Sequence, residues 1–245
     1  MIYLRQANIL FLKPFKVAGT SFEIALSKFA GPDDIISPLR RDDEIRRSLG
    51  FPGERNYRFT WQERLRMRVN DQLKLLYYKH KQIKYPQHTS ARMARDFLGE
   101  GSFDKAFKVS IVRDPFDFLI SHYFWHNSNA DEPVLDFPNW VRQNPWVLNR
   151  NEQFYFIDGE EVIDFYIRFE NLLEDSLELE KLRPEIRGLS DTLSGISAKS
   201  GIRPEHASRE NLFRGDPELI EAVKFFQLKH MRKFDYSAPY FSTQD

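Results

Sequence analysis

The chain has 245 residues, 36 basic and 36 acidic side chains, a formal net charge of zero, 41% hydrophobic residues and no cysteine. This length and apolar content suit a single domain with a full core, and the charge balance argues against a chain-wide basic field for nucleic acid. The lack of cysteine excludes disulfides, thiol nucleophiles and thiolate metal sites, and agrees with a cytoplasmic protein.

The first apolar run, Ala7 to Leu12, is broken by Asn8 and stops at Lys13, too short for a signal-peptide core or a membrane span. Within it Ile9-Leu-Phe-Leu12 reads as a strand buried on both faces, as in a parallel sheet. A turn through Lys16-Val-Ala-Gly19-Thr20-Ser21 follows, and Phe22 to Phe29 has helical spacing, closed by Gly31-Pro32. Residues 32–60 read as loop with short helical pieces. A helix is expected from Thr60 to Lys81, with Thr60 and Glu63 as capping box and an apolar face of Leu65, Val69, Leu73 and Leu76. Its remaining basic side chains read as a solvated face. Tyr85 to Ser90 is a loop, and Ala91 to Leu98 a short helix ending at Gly99.

Lys108-Val-Ser-Ile-Val112 is a second buried strand, stopped by Arg113-Asp-Pro115. Asp114 as N-cap and Pro115 in the first turn start a helix through Ser121 and Tyr123. Beyond it the chain is irregular and rich in Pro, Trp and Asn, with a short helix near Phe137–Arg142. Val162 to Arg168 reads as a strand, Phe169 to Leu172 as a loop and Leu177 to Leu182 as helix. Ser190 to Arg209 is small, polar and expected to be mobile. Asp216 and Pro217 open a final helix reaching Phe234. No repeat or linker divides the chain, so residues 1–245 are expected to form one domain.

Strands alternating with helices predict an α/β fold with a mainly parallel sheet, whose ligands bind beyond the carboxyl ends of the strands. The loops after Leu12 and Val112 then share one rim. A strand turning into a helix leaves free N–H groups at the positive end of the helix dipole, which favours an anion. Gly19 permits close backbone approach, Thr20 and Ser21 add hydroxyls, and Lys16 adds a charge. An ordinary strand–helix turn is the plain alternative. The loop is not a Walker A loop, because its lysine precedes the glycine. In the second unit Arg113 offers a planar fork and Ser121 a hydroxyl. Two anion sites on one rim point to a ligand with two separated phosphate-like groups.

On these residues the chain resembles the sulfotransferase family, which uses 3′-phosphoadenosine 5′-phosphosulfate as sulfuryl donor. Phe15-Lys16-Val-Ala-Gly19-Thr20-Ser21 is similar to its first motif, roughly Pro-Lys-x-(Gly/Ala)-(Gly/Ser)-Thr-Ser, and Arg113 to Tyr123 to its second, roughly Arg-x-Pro-x-(Asp/Glu)-x-x-x-Ser-x-Tyr. The likeness is to the branch with carbohydrate sulfotransferases. Phe169-Glu170-Asn171-Leu172 and Phe234-Asp-Tyr236 resemble two further elements. One departure is Phe15 where proline is usual, the proline standing at Pro14. The resemblance implies a P-loop nucleotide-kinase-like three-layer sandwich around a central, mainly parallel sheet. It implies that Lys16, Gly19, Thr20 and Ser21 hold the 5′-phosphosulfate and Arg113 and Ser121 the 3′-phosphate, with adenosine 3′,5′-bisphosphate as product and no metal.

Sulfuryl transfer requires charge stabilisation at the leaving oxygen, assigned to Lys16, and a base for the acceptor hydroxyl. Among six histidines, His88 is the expected base: it lies in a loop before a helix, and Gln-His88-Thr-Ser-Ala resembles the region that supplies the base in related glycan enzymes. His126 and Glu23 are the alternatives. His80, His206 and His230 read as surface residues, and His122 points away from its neighbour Ser121. His122 and His126 have a helical zinc spacing but no third ligand. The stretch 190–209 with Asn211 to Arg214 is the expected cover over the nucleotide. Lys13 reads as a strand-end residue outside the chemistry. The expected acceptor is a hydroxyl-bearing polar molecule such as a saccharide, with no nucleic acid and no membrane span. Two other classes fit less of the pattern: a P-loop kinase, which needs a Walker loop, and a nucleotide-binding module without turnover.

Overall fold

In the strands the side chains alternate between two cores, and this sets the layering. The computed structural model describes residues 1–66, 82–128, 135–196, 204 and 207–239. Its main sheet has the order β3-β1-β2-β4-β7, with β1 at Ile2–Leu4, β2 at Ile9–Leu12, β3 at Ile35–Ile36, β4 at Phe107–Val112 and β7 at Phe165–Arg168. The pairs β2–β4 and β4–β7 are parallel, while β1 is antiparallel to both of its neighbours. Four strands therefore run one way and β1 is reversed. A separate hairpin joins β5 (Phe156–Ile157) to β6 (Glu160–Glu161).

Ile2, Leu4, Ile9 and Phe11 pack on one face against Phe22, Ala25 and Leu26 of α1 (Gly19–Ser27) and against Leu179, Leu189 and Leu193. Tyr3, Leu10 and Leu12 pack on the other against Ala91, Ala94, Phe103 and Tyr155. The period of two in Ile9–Leu12 serves two buried faces, so every residue of that run is apolar. The first face is covered by α1, α9 (Leu172–Leu182) and α10 (Leu189–Ser194); the second by α4 (Ala91–Leu98), α5 (Glu100–Lys105) and α8 (Glu152–Tyr155). A third core gathers Phe116, Ile120, Phe137, Trp140, Phe213 and Val223, joining α6 (Pro115–Asn127), α7 (Phe137–Gln143), α11 (Arg209–Phe213) and α12 (Pro217–Phe234). Two short helices, α2 (Asp43–Ser48) and α3 (Trp61–Leu65), complete the described set. Among the described residues no helix is long and apolar enough to cross a membrane.

The predicted caps form. Thr60 and Glu63 make a reciprocal capping box on α3. The rest of the expected helix, with Val69, Leu73 and Leu76, lies outside the described residues. Asp114 Oδ1 accepts from the backbone N–H of Phe116 at 2.9 Å and of Asp117 at 3.2 Å, and Asp216 accepts from Leu219 N–H at 3.0 Å. Other expectations need correction. The last long strand begins at Phe165 rather than Val162, because Val162 N–H goes to the Tyr155 carbonyl beside the hairpin. The helix expected at Leu177 already starts at Leu172. The stretch expected from Ser190 to Arg209 begins in helix α10, where Glu180 takes the N–H groups of Gly188 (2.7 Å) and Ser190 (2.6 Å) and so caps it from a distance; residues 197–203, 205 and 206 lie outside the described residues. At the β7 edge, Asp175 takes the Arg168 N–H at 2.8 Å and pairs with the Arg168 guanidinium at 2.6 Å.

A buried charge cluster ties β2, α1 and α2 together. Glu23, fully buried, meets Lys13 Nζ at 3.1 Å, the Met1 amino nitrogen at 3.3 Å and Arg46 Nη2 at 3.7 Å. It also accepts from Ser37 Oγ at 2.9 Å. Arg46 donates in turn to Asp43 at 2.8 Å. Burial alone would raise the Glu23 pKa; the charges of Lys13, the Met1 amine and Arg46 outweigh it and hold the group at about 2. One expectation falls here: Glu23 is no candidate base, because it is a paired, ionised carboxylate without solvent. Lys13, at the end of β2, supplies its nearest counter-charge. Glu23→Ala strands buried cations, so it should cost about 3–5 kcal/mol in chemical denaturation. A Lys13→Met/Glu23→Leu double variant should lose clearly less than the two single changes combined; strict additivity would show that the pair does not act as a unit.

Candidate functional site

The loop after β2 has an unusual backbone. Lys16 and Ala18 both adopt a left-handed φ of 57°, and α1 begins at Gly19 with Ala18 as its N-cap. Left-handed residues beside a helix start turn successive N–H groups toward one side, the arrangement that cradles anions. Gly19 is required for space: a Cβ there would lie 2.9 Å from Lys13 Cγ, the buried stem that runs to Glu23. Val17 is anchored in the first core, and Thr20 and Ser21 are buried at the start of α1.

Phe15, where the sequence motif departs, has a local reason. Its N–H donates to Asn151 Oδ1 at 2.9 Å, and its carbonyl accepts from Asn151 Nδ2 at 3.0 Å. The Asn151 amide thus holds Phe15 as a strand partner would. Proline at this position would remove the donor.

The second loop reaches the first. Ser110 Oγ in β4 donates to the Leu12 carbonyl at 2.8 Å, and Arg113 Nη1 donates to the Lys16 carbonyl at 3.0 Å. The Arg113 guanidinium lies over the Phe169 ring at 4.0 Å. Glu170 accepts from Asp114 N–H at 2.9 Å and from Tyr236 Oη at 2.9 Å, bringing both minor sequence elements to the head of α6. Arg209 of α11 pairs with Asp114 at 3.1 Å and with Asp117 on the same helix. Ser121 stands half-buried one turn beyond Asp117.

His88 stacks on Phe15 with ring centres 3.9 Å apart, and its Nδ1 lies 3.0 Å from the Lys13 carbonyl. A carbonyl only accepts, so Nδ1 carries the proton and Nε2 the lone pair. Burial, then the Lys13 charge, pushes its pKa down to about 3. His122 is buried among Phe118, Trp125, Trp140 and Trp146. Burial and the Arg150 charge push it to about 3 as well. His126 is exposed beside Asn127. His230, expected at the surface, is instead buried: its Nδ1 lies 3.2 Å from Glu152, and its ring packs on Tyr155 and Phe234. His80 and His206 lie outside the described residues.

The sequence-predicted residues Lys16, Gly19, Thr20, Ser21 and Arg113 thus meet at the carboxyl ends of β2 and β4, with His88 joined to them through Phe15. The roles of Asn151, Arg150, Trp125 and Trp146 carry no sequence signal of their own, because they depend on contacts between distant segments. Lys16 Nζ lies 5.3 Å from the centre of the Trp125 ring. Among the described residues no three His, Asp or Glu side chains are placed to hold a metal ion. No protein-family model, curated protein or solved structure matches this chain, so the reading of the site rests on its own geometry.

Both depressed histidines make the fold acid-sensitive. An unfolded chain binds protons at these imidazoles below about pH 6.5 while the folded chain stays neutral there, so stability falls as pH drops from about 6.5 toward 3. The melting temperature should therefore be lower at about pH 5 than at about pH 7, and His122→Phe should flatten part of that dependence. An unchanged slope in the variant would contradict the buried, neutral state assigned to His122.

Proposed function

We propose that the protein is a sulfotransferase, moving a sulfuryl group from 3′-phosphoadenosine 5′-phosphosulfate to a hydroxyl of a polar acceptor such as a saccharide. The observation that carries the reading is the joining of the two anion loops: Arg113 at the end of β4 donates to the carbonyl of Lys16 after β2. One rim then offers two separated anion sites, which suits a donor with a 5′-phosphosulfate and a 3′-phosphate. The fold that goes with this proposal is the P-loop nucleotide-kinase-like sandwich. The two-faced sheet and the strand–loop–helix units support it.

In this reading the N–H groups at the start of α1, with Thr20 and Ser21, hold the phosphosulfate, and Arg113 and Ser121 hold the 3′-phosphate. The acceptor oxygen attacks sulfur in line. The bond from sulfur to the bridging oxygen breaks, and the adenosine bisphosphate leaves with the electron pair. Lys16 balances the charge on that oxygen. The acceptor proton passes to Nε2 of His88, whose tautomer is fixed by the Lys13 carbonyl. The depressed pKa keeps the imidazole neutral but leaves it a weak base in the free protein. The donor's negative charges oppose the Lys13 field and raise its basicity once bound.

Saturating adenosine 3′,5′-bisphosphate should raise the melting temperature by about 5–10 °C, and ATP with magnesium should do so far less. Protection by ATP with magnesium alone would replace this reading with a kinase. Lys16→Ala should lower kcat by about 10²–10³-fold with at most a few-fold change in bisphosphate affinity. Unchanged turnover in a sulfuryl-transfer assay would remove Lys16 from the chemistry.

A further inference from the structure

Around Lys16 a set of side chains closes on itself. Arg150 lies over the Phe15 ring at 4.0 Å and over the Trp146 ring at 4.6 Å. Trp146 meets the His122 ring at 5.7 Å, His122 meets Trp125 at 5.6 Å, and Trp125 meets Lys16 Nζ at 5.3 Å. Lys16 is the chain neighbour of Phe15, which completes the circuit. Trp125 and Trp146 are each 41% exposed, whereas His122 is 1% exposed. Large exposed aromatic faces gathered at one place mark a binding surface.

Two polar groups in this circuit lack partners. Both ring nitrogens of His122 and the Nε of Arg150 are buried without a hydrogen bond among the described residues. No acidic side chain there balances Arg150, and burial alone lowers its pKa. Unpaired buried groups cost stability; the terminal nitrogens of Arg150 likewise make no hydrogen bond or ion pair among the described residues. The guanidinium is covered on its planar faces by Phe15 and Trp146, and its Nε side is buried. The edge carrying its terminal nitrogens is left open. That edge matches a planar, two-oxygen anion.

Phe15 also fixes a length. His88 stacks on it at 3.9 Å and Arg150 lies over it at 4.0 Å. Two groups so close to one ring centre must occupy opposite faces. The His88 ring centre and the Arg150 guanidinium carbon are therefore at most about 8 Å apart, a separation of the order of a six-membered ring substituted at opposite ends.

We propose that the rim formed by Phe15, Lys16, Trp125, Trp146 and Arg150 binds a small molecule consisting of one six-membered ring with a carboxylate at one end and a hydroxyl at the other. The carboxylate lies on the open edge of Arg150, the ring rests against the exposed tryptophan faces, and the hydroxyl points across Phe15 toward His88. The hydroxyl's role as acceptor rests on the sulfuryl-transfer reading above; recognition of the ring carboxylate does not. An aromatic hydroxy acid and a uronic acid share this chemistry.

The test is a tryptophan-fluorescence titration of the full chain without nucleotide, using para-hydroxybenzoate against para-hydroxybenzamide and methyl β-glucuronide against methyl β-glucoside. At least one carboxylate should bind about tenfold or more tightly than its uncharged counterpart, the discrimination expected of a charge-assisted bidentate contact. The pair that shows the difference identifies the ring type. Arg150→Gln should abolish the difference, and Arg150→Lys should restore only part of it. Equal binding of carboxylate and neutral forms, binding of neither carboxylate, or a difference that survives Arg150→Gln in a folded variant would overturn the assignment. If Arg150→Gln does not fold, the wild-type comparison still decides. Carboxylate binding without protection by adenosine bisphosphate would leave the rim standing and remove the transfer reading, and the converse would remove the rim alone.

Discussion

A carboxylate in the interior must find cations or stay neutral, and Glu23 finds Lys13 and Arg46, with the Met1 amino nitrogen beside them. This requirement organises the functional end of the molecule. To reach Glu23, Lys13 turns inward from the end of β2 and lays its stem under the start of α1, where only glycine leaves enough space. The loop between Lys13 and Gly19 must then turn sharply, and it does so through left-handed residues at 16 and 18. The same lysine offers its carbonyl to His88 and sets the proton on one side of that imidazole. Anion loop, helix start and histidine tautomer all meet at Lys13. Removing either charge would uncover the other in a medium that solvates it poorly.

Much of this was readable from residue order. Ile9–Leu12 read as doubly buried because all four residues are apolar, and the strand ending at Val112 read the same way although it carries Lys108 and Ser110, which are buried too. Asp114-Pro115 and Asp216-Pro217 announced helix starts with their own caps. The caps that failed to show are those made across the chain: Glu180 satisfies Gly188 and Ser190 from another helix, so the start of a stretch of small polar residues read as loop in sequence and is helical in space. β1 and β3 were invisible because two or three residues give too short a pattern, and their pairing partners alone define them. Lys13 and Glu23 are ten positions apart with no helical or strand relation, so nothing local could reveal that they touch. The same holds for His230, whose polar character suggested solvent, while Glu152, Tyr155 and Phe234 enclose it.

Phe15 connects the two halves of the site. Its backbone is held by Asn151, one ring face carries His88 and the other carries Arg150. A proline would serve the turn but would lose the Asn151 bond and both stacking partners. A departure from the resembled motif is thus a point where this chain has built something of its own. The side chain separates a neutral imidazole from a permanent cation by the thickness of a single ring, and so keeps Arg150 from adding to the Lys13 field at closest range.

The Arg168–Asp175 pair at the sheet margin has a bearing on how the protein behaves in company. β7 ends the main sheet, and an outer strand with free N–H groups is a template for a strand from another molecule. Here Asp175 occupies the Arg168 N–H from within the same chain and holds the guanidinium beside it. A visiting strand would have to displace a charged, bidentate partner before its first ladder bond could form. The contact therefore blocks one ladder position on the outer edge of β7 from within the chain.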